Sequence, residues 1–117
     1  MAVVLVAEDV AAISVSLDSI LQDQGFEIAG PFASCVRASE WLATRTPDVA
    51  LLDLQLSDGP CIELARALRK RDVPVLFLTG VSDRLALPPD LRDCGWLEKP
   101  IPFDNLLLAV RTAARPT

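Results

Sequence analysis

The sequence contains no histidine. That absence removes serine–histidine–aspartate and cysteine–histidine catalysis, and with them every histidine-based metal site. Aromatic residues supply 5% of the 117 positions while 51% are hydrophobic, so aliphatic side chains must fill the core. Cysteine is scarce: Cys35, Cys61 and Cys94 form an odd, scattered set without a C-x-x-C pair. The expectation is three small, mostly buried thiols in a reducing cytosol, neither a disulfide framework nor a zinc site. No apolar run approaches the roughly 18 residues of a membrane span, and the N-terminus enters a strand without a basic leader. A cytoplasmic chain without membrane contact is expected. Basic residues are outnumbered, 11 against 16, for a net charge of −5. Nucleic acid is an unsuitable partner, because the densest basic stretch, Arg66 to Arg71, fits the solvated side of a helix.

What the chain does have is a series of short apolar runs that stop at polar residues. Val49-Ala50-Leu51-Leu52-Asp53 follows Pro47-Asp48 and ends in a carboxylate, the pattern of a strand buried on both faces. Val3 to Ala7 ends likewise in Glu8-Asp9, Val73 to Thr79 in a threonine before Gly80, and Gly95 to Glu98 in Lys99-Pro100. Phe26 to Ala29 is a shorter strand closed by Gly30-Pro31. Between them lie helical spacings: Ile13, Leu17, Ile20 and Leu21 up to Gly25; Cys35, Ala38 and Leu42 after a Ser34 N-cap; Cys61, Leu64, Ala65 and Leu68 after Pro60 in a first turn; Leu106, Leu107, Val110 and Ala114 at the end. The length suits one domain, 1–117. Five continuous apolar strands alternating with helices specify an α/β fold: a doubly wound, five-stranded parallel sheet with helices on both faces, flavodoxin-like. The fourth crossover differs. Pro88-Pro89 interrupts Ser82 to Asp93, so its helix should be short or irregular, bury little and open easily.

Parallel topology brings all strand ends to one edge. Glu8, Asp9, Asp53, Thr79 and Lys99 are therefore expected together. Each alone suits a cap, a turn or a surface position; five in such positions point to a site. Carboxylates about 4 Å apart at an effective dielectric of about 20 repel by roughly 4 kcal/mol per pair, which a hard divalent cation relieves. All-oxygen donors suit Mg²⁺, whose remaining ligands are often phosphate oxygens. Lysine and threonine supply a positive charge and a hydroxyl donor to the same group, and Asp53 is placed as a nucleophile for phosphoryl transfer.

The marks Glu8-Asp9, Leu51-Leu52-Asp53, Leu78-Thr79-Gly80 and Trp96-Leu97-Glu98-Lys99-Pro100 resemble those of response-regulator receiver domains, the CheY-like switches of two-component signalling. The resemblance covers essentially the whole chain. It implies a phosphoprotein whose Asp53 is phosphorylated from the phosphohistidine of a histidine kinase or phosphotransfer protein. It also implies Mg²⁺ held by Glu8, Asp9, Asp53 and the carbonyl of Gln55, with Thr79 and Lys99 contacting the phosphoryl group. Trp96 takes the place of the family's switch aromatic, coupled to Thr79. Such a protein is a switch whose chemistry is limited to its own phosphoryl transfer and dephosphorylation, and the family's last strand and helix suggest a homodimer surface. Departures are Ser57 and Cys61, where the family often has proline and glycine, and Trp in place of Tyr or Phe. Pro74 to Gly80 is similar to the P-F-x-F-A-T-G signature of a single-domain subgroup associated with HWE-type histidine kinases, with Val75 and Leu78 off-pattern.

Other readings fit less of the chain. A haloacid-dehalogenase-like phosphatase wants a second aspartate where Gln55 stands, and a flavodoxin-like cofactor binder wants a phosphate loop after the first strand. A degenerate receiver acting as a phosphorylation-independent interaction module remains the alternative. Finally, Leu106-Leu107-Leu108 spans more arc than one core face needs, so Leu108 is expected at the surface.

Overall fold

Uninterrupted apolar runs have no side to offer to water, and three strands here are buried at every position: β1 (Val3–Ala7), β3 (Val49–Asp53) and β4 (Val75–Thr79). The computed structural model describes residues 2–9, 11–79, 87–99 and 101–114, and for 11–15 the backbone alone. The edge strands β2 (Glu27–Phe32) and β5 (Gly95–Glu98) are less buried. All pairings are parallel, in the order β2-β1-β3-β4-β5. The helices are α1 (Ala11–Asp23), α2 (Cys35–Leu42), α3 (Ile62–Lys70) and α4 (Phe103–Ala113). This is the doubly wound sheet expected.

Strand side chains alternate between two cores. Val4, Val6, Val49, Leu51, Leu76 and Leu78 pack with Leu17 and Leu21 of α1 and Leu106 and Val110 of α4. Leu5, Ala7, Ala50, Leu52, Val75 and Phe77 face the other way, onto Ala38 and Leu42 of α2 and Leu64, Ala65 and Leu68 of α3. The expected inward position of Ile13 lies outside the described side chains.

Local signals set most of the boundaries. The Ser34 hydroxyl accepts from the Arg37 N–H at 3.2 Å, capping α2 as expected. Gly25, at φ +88°, closes α1: its N–H donates to the Gln22 carbonyl while that of Phe26 donates to Leu21, a Schellman pair. Asp72, at φ +59°, closes α3 by the same pattern through Arg69 and Leu68. Several boundaries move: β4 begins at Val75 rather than Val73, and β2 at Glu27 rather than Phe26. Helix α3 begins at Ile62, so Pro60 lies before it rather than in its first turn. Strand β2 does not stop at Ala29 but runs through Gly30-Pro31 to Phe32. An edge strand tolerates the missing proline N–H, and Gly30 (φ +106°) allows a close approach: a Cβ there would lie 2.7 Å from the Val6 carbonyl oxygen. The β1–β2 register shifts between Leu5 and Ala7.

The cysteine expectation is overturned. Cys35 and Cys61 form a disulfide, and Cys94 alone is free. Packing of α2 beside the loop that leaves β3 brings their Cα atoms within 5.4 Å across 26 residues of sequence, a proximity that spacing does not reveal.

In the fourth crossover, residues 80–86 lie outside the described residues. Residues 87–94 contain a single 3-10 turn, Pro89–Leu91, and no α-helix, with Pro88 in an extended conformation. Over residues 87–94 the element is short and irregular, as expected, but the burial there is not shallow; the rest of the expected Ser82–Asp93 segment lies outside the described residues. Leu87 and Leu91 are buried. Arg66 and Arg69 of α3 pair with Asp90 and Asp93 at 3.1 and 3.0 Å, and the Arg92 Nε donates to the Leu87 carbonyl. Over residues 87–94, two apolar anchors stand in place of a helical face.

On α4 the three adjacent leucines divide as the arc argument requires: Leu106 is buried, Leu107 half-buried, and Leu108 is 67% exposed. Leu106→Ala should cost about 2–5 kcal/mol in urea unfolding, whereas Leu108→Glu should change stability by no more than about 0.5 kcal/mol.

Candidate functional site

The strand order reverses between β1 and β3, and at such a switch point an open α/β sheet forms its crevice beyond the strand C-termini. Asp53 ends β3 and Glu8-Asp9 follow β1, so their carboxylates come from neighbouring strands. Glu8 and Asp53 are buried, 2% and 1% exposed, and Asp9 is exposed. Thr79, at the end of β4, is fully buried. Lys99 arrives from β5, and its backbone N–H donates to the Thr79 carbonyl at 2.6 Å.

The Lys99 side chain reaches between the two buried carboxylates. Its Nζ lies 2.7 Å from Glu8 Oε1 and 2.9 Å from Asp53 Oδ2. The other oxygens are also held: Glu8 Oε2 accepts from the Asp9 N–H at 3.0 Å, and Asp53 Oδ1 from the Gln55 N–H at 2.8 Å. Glu8, Asp9 and Asp53 each offer an oxygen, all within 4.8 Å of one another. The residues fit a hard divalent cation in donor type and charge; these three would hold it, at the open side marked by Asp9. Of the expected residues, the structure thus brings Glu8, Asp9, Asp53 and Lys99 together, with the Gln55 backbone against Asp53. Trp96 lies on β5, opposite Phe77 in register, and is half-buried against the α2–α3 core. Gly80 and Pro100, which flank Thr79 and Lys99 in the motifs, lie outside the described residues.

Burial and pairing pull the charges in different directions. Burial is the largest influence on Glu8, and with the adjacent Asp53 it outweighs Lys99, raising the Glu8 carboxyl from 4.5 to about 7. Burial also pushes Asp53 upward. Hydrogen bonds from Glu8, the Gln55 N–H and Lys99 outweigh it and hold Asp53 below 3.8. For Lys99, burial acts downward, but its two carboxylates prevail and raise it. Of the two, Asp53 is the ionised partner in the neutral range, and Glu8 is the one that takes up a proton first as pH falls.

Sequence reasoning found the carboxylates and the lysine. It missed that Lys99 pairs with both buried carboxylates and relieves part of their repulsion. It also missed Asp58, whose carboxylate accepts from the N–H groups of Cys35 and Val36 at 2.7 and 3.1 Å, joining the β3–α3 loop to the start of α2. Ser57-Asp58-Gly59 carries only a turn signal; nothing local identifies the helix it meets.

With this geometry in place, comparisons define the class. The chain matches the response regulator receiver domain over residues 4–111, and it belongs to that family. The transcriptional regulatory protein PdtaR of Mycobacterium tuberculosis is 32% identical over 114 residues, covering 94% of this chain and 55% of PdtaR. The KDP operon transcriptional regulatory protein KdpE of Escherichia coli is 35% identical over 116 residues, covering 96% and 51%. The chain spans about half the length of these curated relatives. Among solved structures, the Erythrobacter litoralis PhyR response regulator REC domain superposes with a TM-score of 0.83 at 30% identity, covering 99% of this chain and 95% of that one. Receiver domains are signalling switches that interact with histidine kinases or phosphotransfer proteins. Among the described residues, no helix is long and apolar enough to cross a membrane.

The raised Glu8 carboxyl makes folding pH-dependent. Between about 4.5 and about 7 the folded chain holds a proton that the unfolded chain has released, so stability falls as pH rises through this window. Asp53 contributes in the opposite sense and below 3.8, and Lys99 loses its contribution only above 10.5. Without divalent ions, urea unfolding should show decreasing stability from pH 5 to 7. Glu8→Gln should flatten that slope and be more stable than the parent at pH 8. An unchanged slope would place the titrating group elsewhere.

Proposed function

We propose that this chain is a single receiver domain that accepts a phosphoryl group on Asp53 from the phosphohistidine of a histidine kinase or phosphotransfer protein, with Mg²⁺, and thereby alters its partner-binding surface. The observation that carries the reading is the Asp53 carboxylate itself: buried at a sheet switch point, held ionised, and met at 2.9 Å by Lys99. An Asp53 oxygen forms a bond to phosphorus as the phosphorus–nitrogen bond of the donor breaks, and the departing imidazole takes up a proton. The ionised state keeps the nucleophile ready at neutral pH. Lys99 balances negative charge on the incoming oxygens, and its hold on Glu8 keeps the ammonium in the cleft before the donor arrives. Glu8, Asp9 and Asp53, with the Gln55 carbonyl, would hold Mg²⁺, which supplies further charge neutralisation for the phosphoryl oxygens when bound.

Thr79 and Trp96 carry the response in this reading. Thr79 ends β4, the strand between Asp53 and Trp96. A phosphoryl group adds acceptor oxygens that draw in Thr79 and Lys99, and Trp96 repacks in consequence. A homodimer through β5 and α4 belongs to the same reading, supported by the exposure of Leu108.

Incubation with acetyl phosphate and Mg²⁺ should add the mass of one phosphoryl group, and Asp53→Asn should abolish the addition. No addition to the folded parent would favour the phosphorylation-independent interaction module. Mg²⁺ alone should raise the melting temperature of the parent and not of Asp9→Ala.

Beryllofluoride, an acyl-phosphate mimic, should change Trp96 emission. Trp41→Phe isolates that signal, since Trp41 sits on α2 beside the Arg45 guanidinium, 5.4 Å from its ring. Unchanged emission with the mimic bound would remove Trp96 from the switch.

A further inference from the structure

The disulfide lies where two functional elements meet. From Asp53 the chain passes through Leu54 and Leu56, both buried in the α2–α3 core, and reaches Cys61 just before α3. The loop is packed against the bridge: a Cβ on Gly59 would lie 3.3 Å from Cys35 Sγ and equally close to the Leu56 Cβ. Asp58 meanwhile binds the first N–H groups of α2. One end of this loop is therefore the Gln55 N–H on the Asp53 carboxylate, and the other is a covalent tie to α2.

The bridge also borders an open groove. Cys61 is buried, but Cys35 is half-buried, and both line an open groove of about 570 Å³ between α2 and α3. Val36, 61% exposed, stands at its rim. A disulfide buried from solvent is inert to exchange, whereas an accessible sulfur admits a thiolate.

We propose that Cys35–Cys61 is a redox site coupled to the phosphoacceptor loop, reversibly reduced by a dithiol. A thiolate of the dithiol attacks Cys35 Sγ, forming a mixed disulfide and expelling Cys61 as a thiolate that takes up a proton. The second thiol of the reductant then attacks the mixed disulfide and releases Cys35 as a thiol. The bridge gains two electrons and two protons, and the dithiol is oxidised to its own disulfide. Without the tie, only the exposed Asp58 contacts and the packing of Leu54 and Leu56 hold residues 54–60 to α2, so the Gln55 segment at Asp53 loses its covalent brace and loosens. The coupling to Asp53 rests on the phosphoacceptor reading above; the reduction does not.

The test uses the full chain with dithiothreitol as the dithiol. Samples are acid-quenched, denatured, alkylated and weighed, and should carry one adduct when oxidised and three when reduced under native conditions. Amide exchange across residues 54–60 should accelerate on reduction. Phosphorylation by acetyl phosphate and Mg²⁺ should slow by about fivefold or more, the lower end of ordinary coupling between sites. A Cys35→Ser/Cys61→Ser variant should match the reduced parent in both buffers, and Cys94→Ser should respond as the parent does. Should the double variant fail to fold, the dithiothreitol-treated parent and Cys94→Ser still decide the matter. A bridge that resists dithiothreitol until the protein unfolds, or reduction that leaves exchange at 54–60 unchanged, would overturn the proposal. So would exchange that accelerates without any change in phosphorylation rate. Absence of phosphorylation in either redox state would refute the phosphoacceptor reading and with it the coupling, while adducts and exchange would still report the reduction.

Discussion

Two carboxylates with almost no exposure sit side by side at the ends of β1 and β3, and the Lys99 ammonium lies between them. Everything about the cleft depends on that contact. Glu8 and Asp53 are both buried, and neither would stay charged there without a counter-ion. Lys99 is drawn in by both, but at Glu8 burial and the adjacent Asp53 outweigh it, so the pair splits: Asp53 is held low and Glu8 rises to about 7. The same three groups thus place an ionised carboxylate, a cation and a proton-binding carboxyl in one cleft.

The scaffold exists to hold those ends in place. Three inner strands with apolar side chains on both faces are clamped between two helical layers, so their termini have little freedom. The edges are treated differently. Strand β2 carries a glycine–proline pair, and β5 is short and less buried. The crossover into β5 dispenses with an α-helix over residues 87–94, relying on Leu87, Leu91 and two arginine–aspartate clasps to α3. Those clasps are exposed and each contributes little on its own; the buried leucines hold the segment.

The loop from β3 to α3 links the cleft to the rest of the molecule. Its first residues bind Asp53, its middle caps α2, and its end is bonded to Cys35. A change at either end has a short, packed path to the other. This arrangement places a disulfide eight residues of chain from Asp53 without sharing any atom with it.

The sequence by itself determined the sheet, its parallel sense and the carboxylate-lysine edge, because continuous apolar strands and their polar stops are local patterns. Val49 to Asp53 announces both a strand and the residue it delivers. Ser34 and Gly25 likewise announced the ends of helices through their own chemistry. Tertiary structure alone decided the rest. Cys35 meets Cys61, Asp58 meets α2, and Arg66 and Arg69 meet Asp90 and Asp93 because helices pack at positions that no sequence spacing encodes. The raised Glu8 carboxyl is of the same kind: a carboxylate after an apolar run is legible, but its burial beside a second carboxylate with one shared lysine is set by packing in three dimensions.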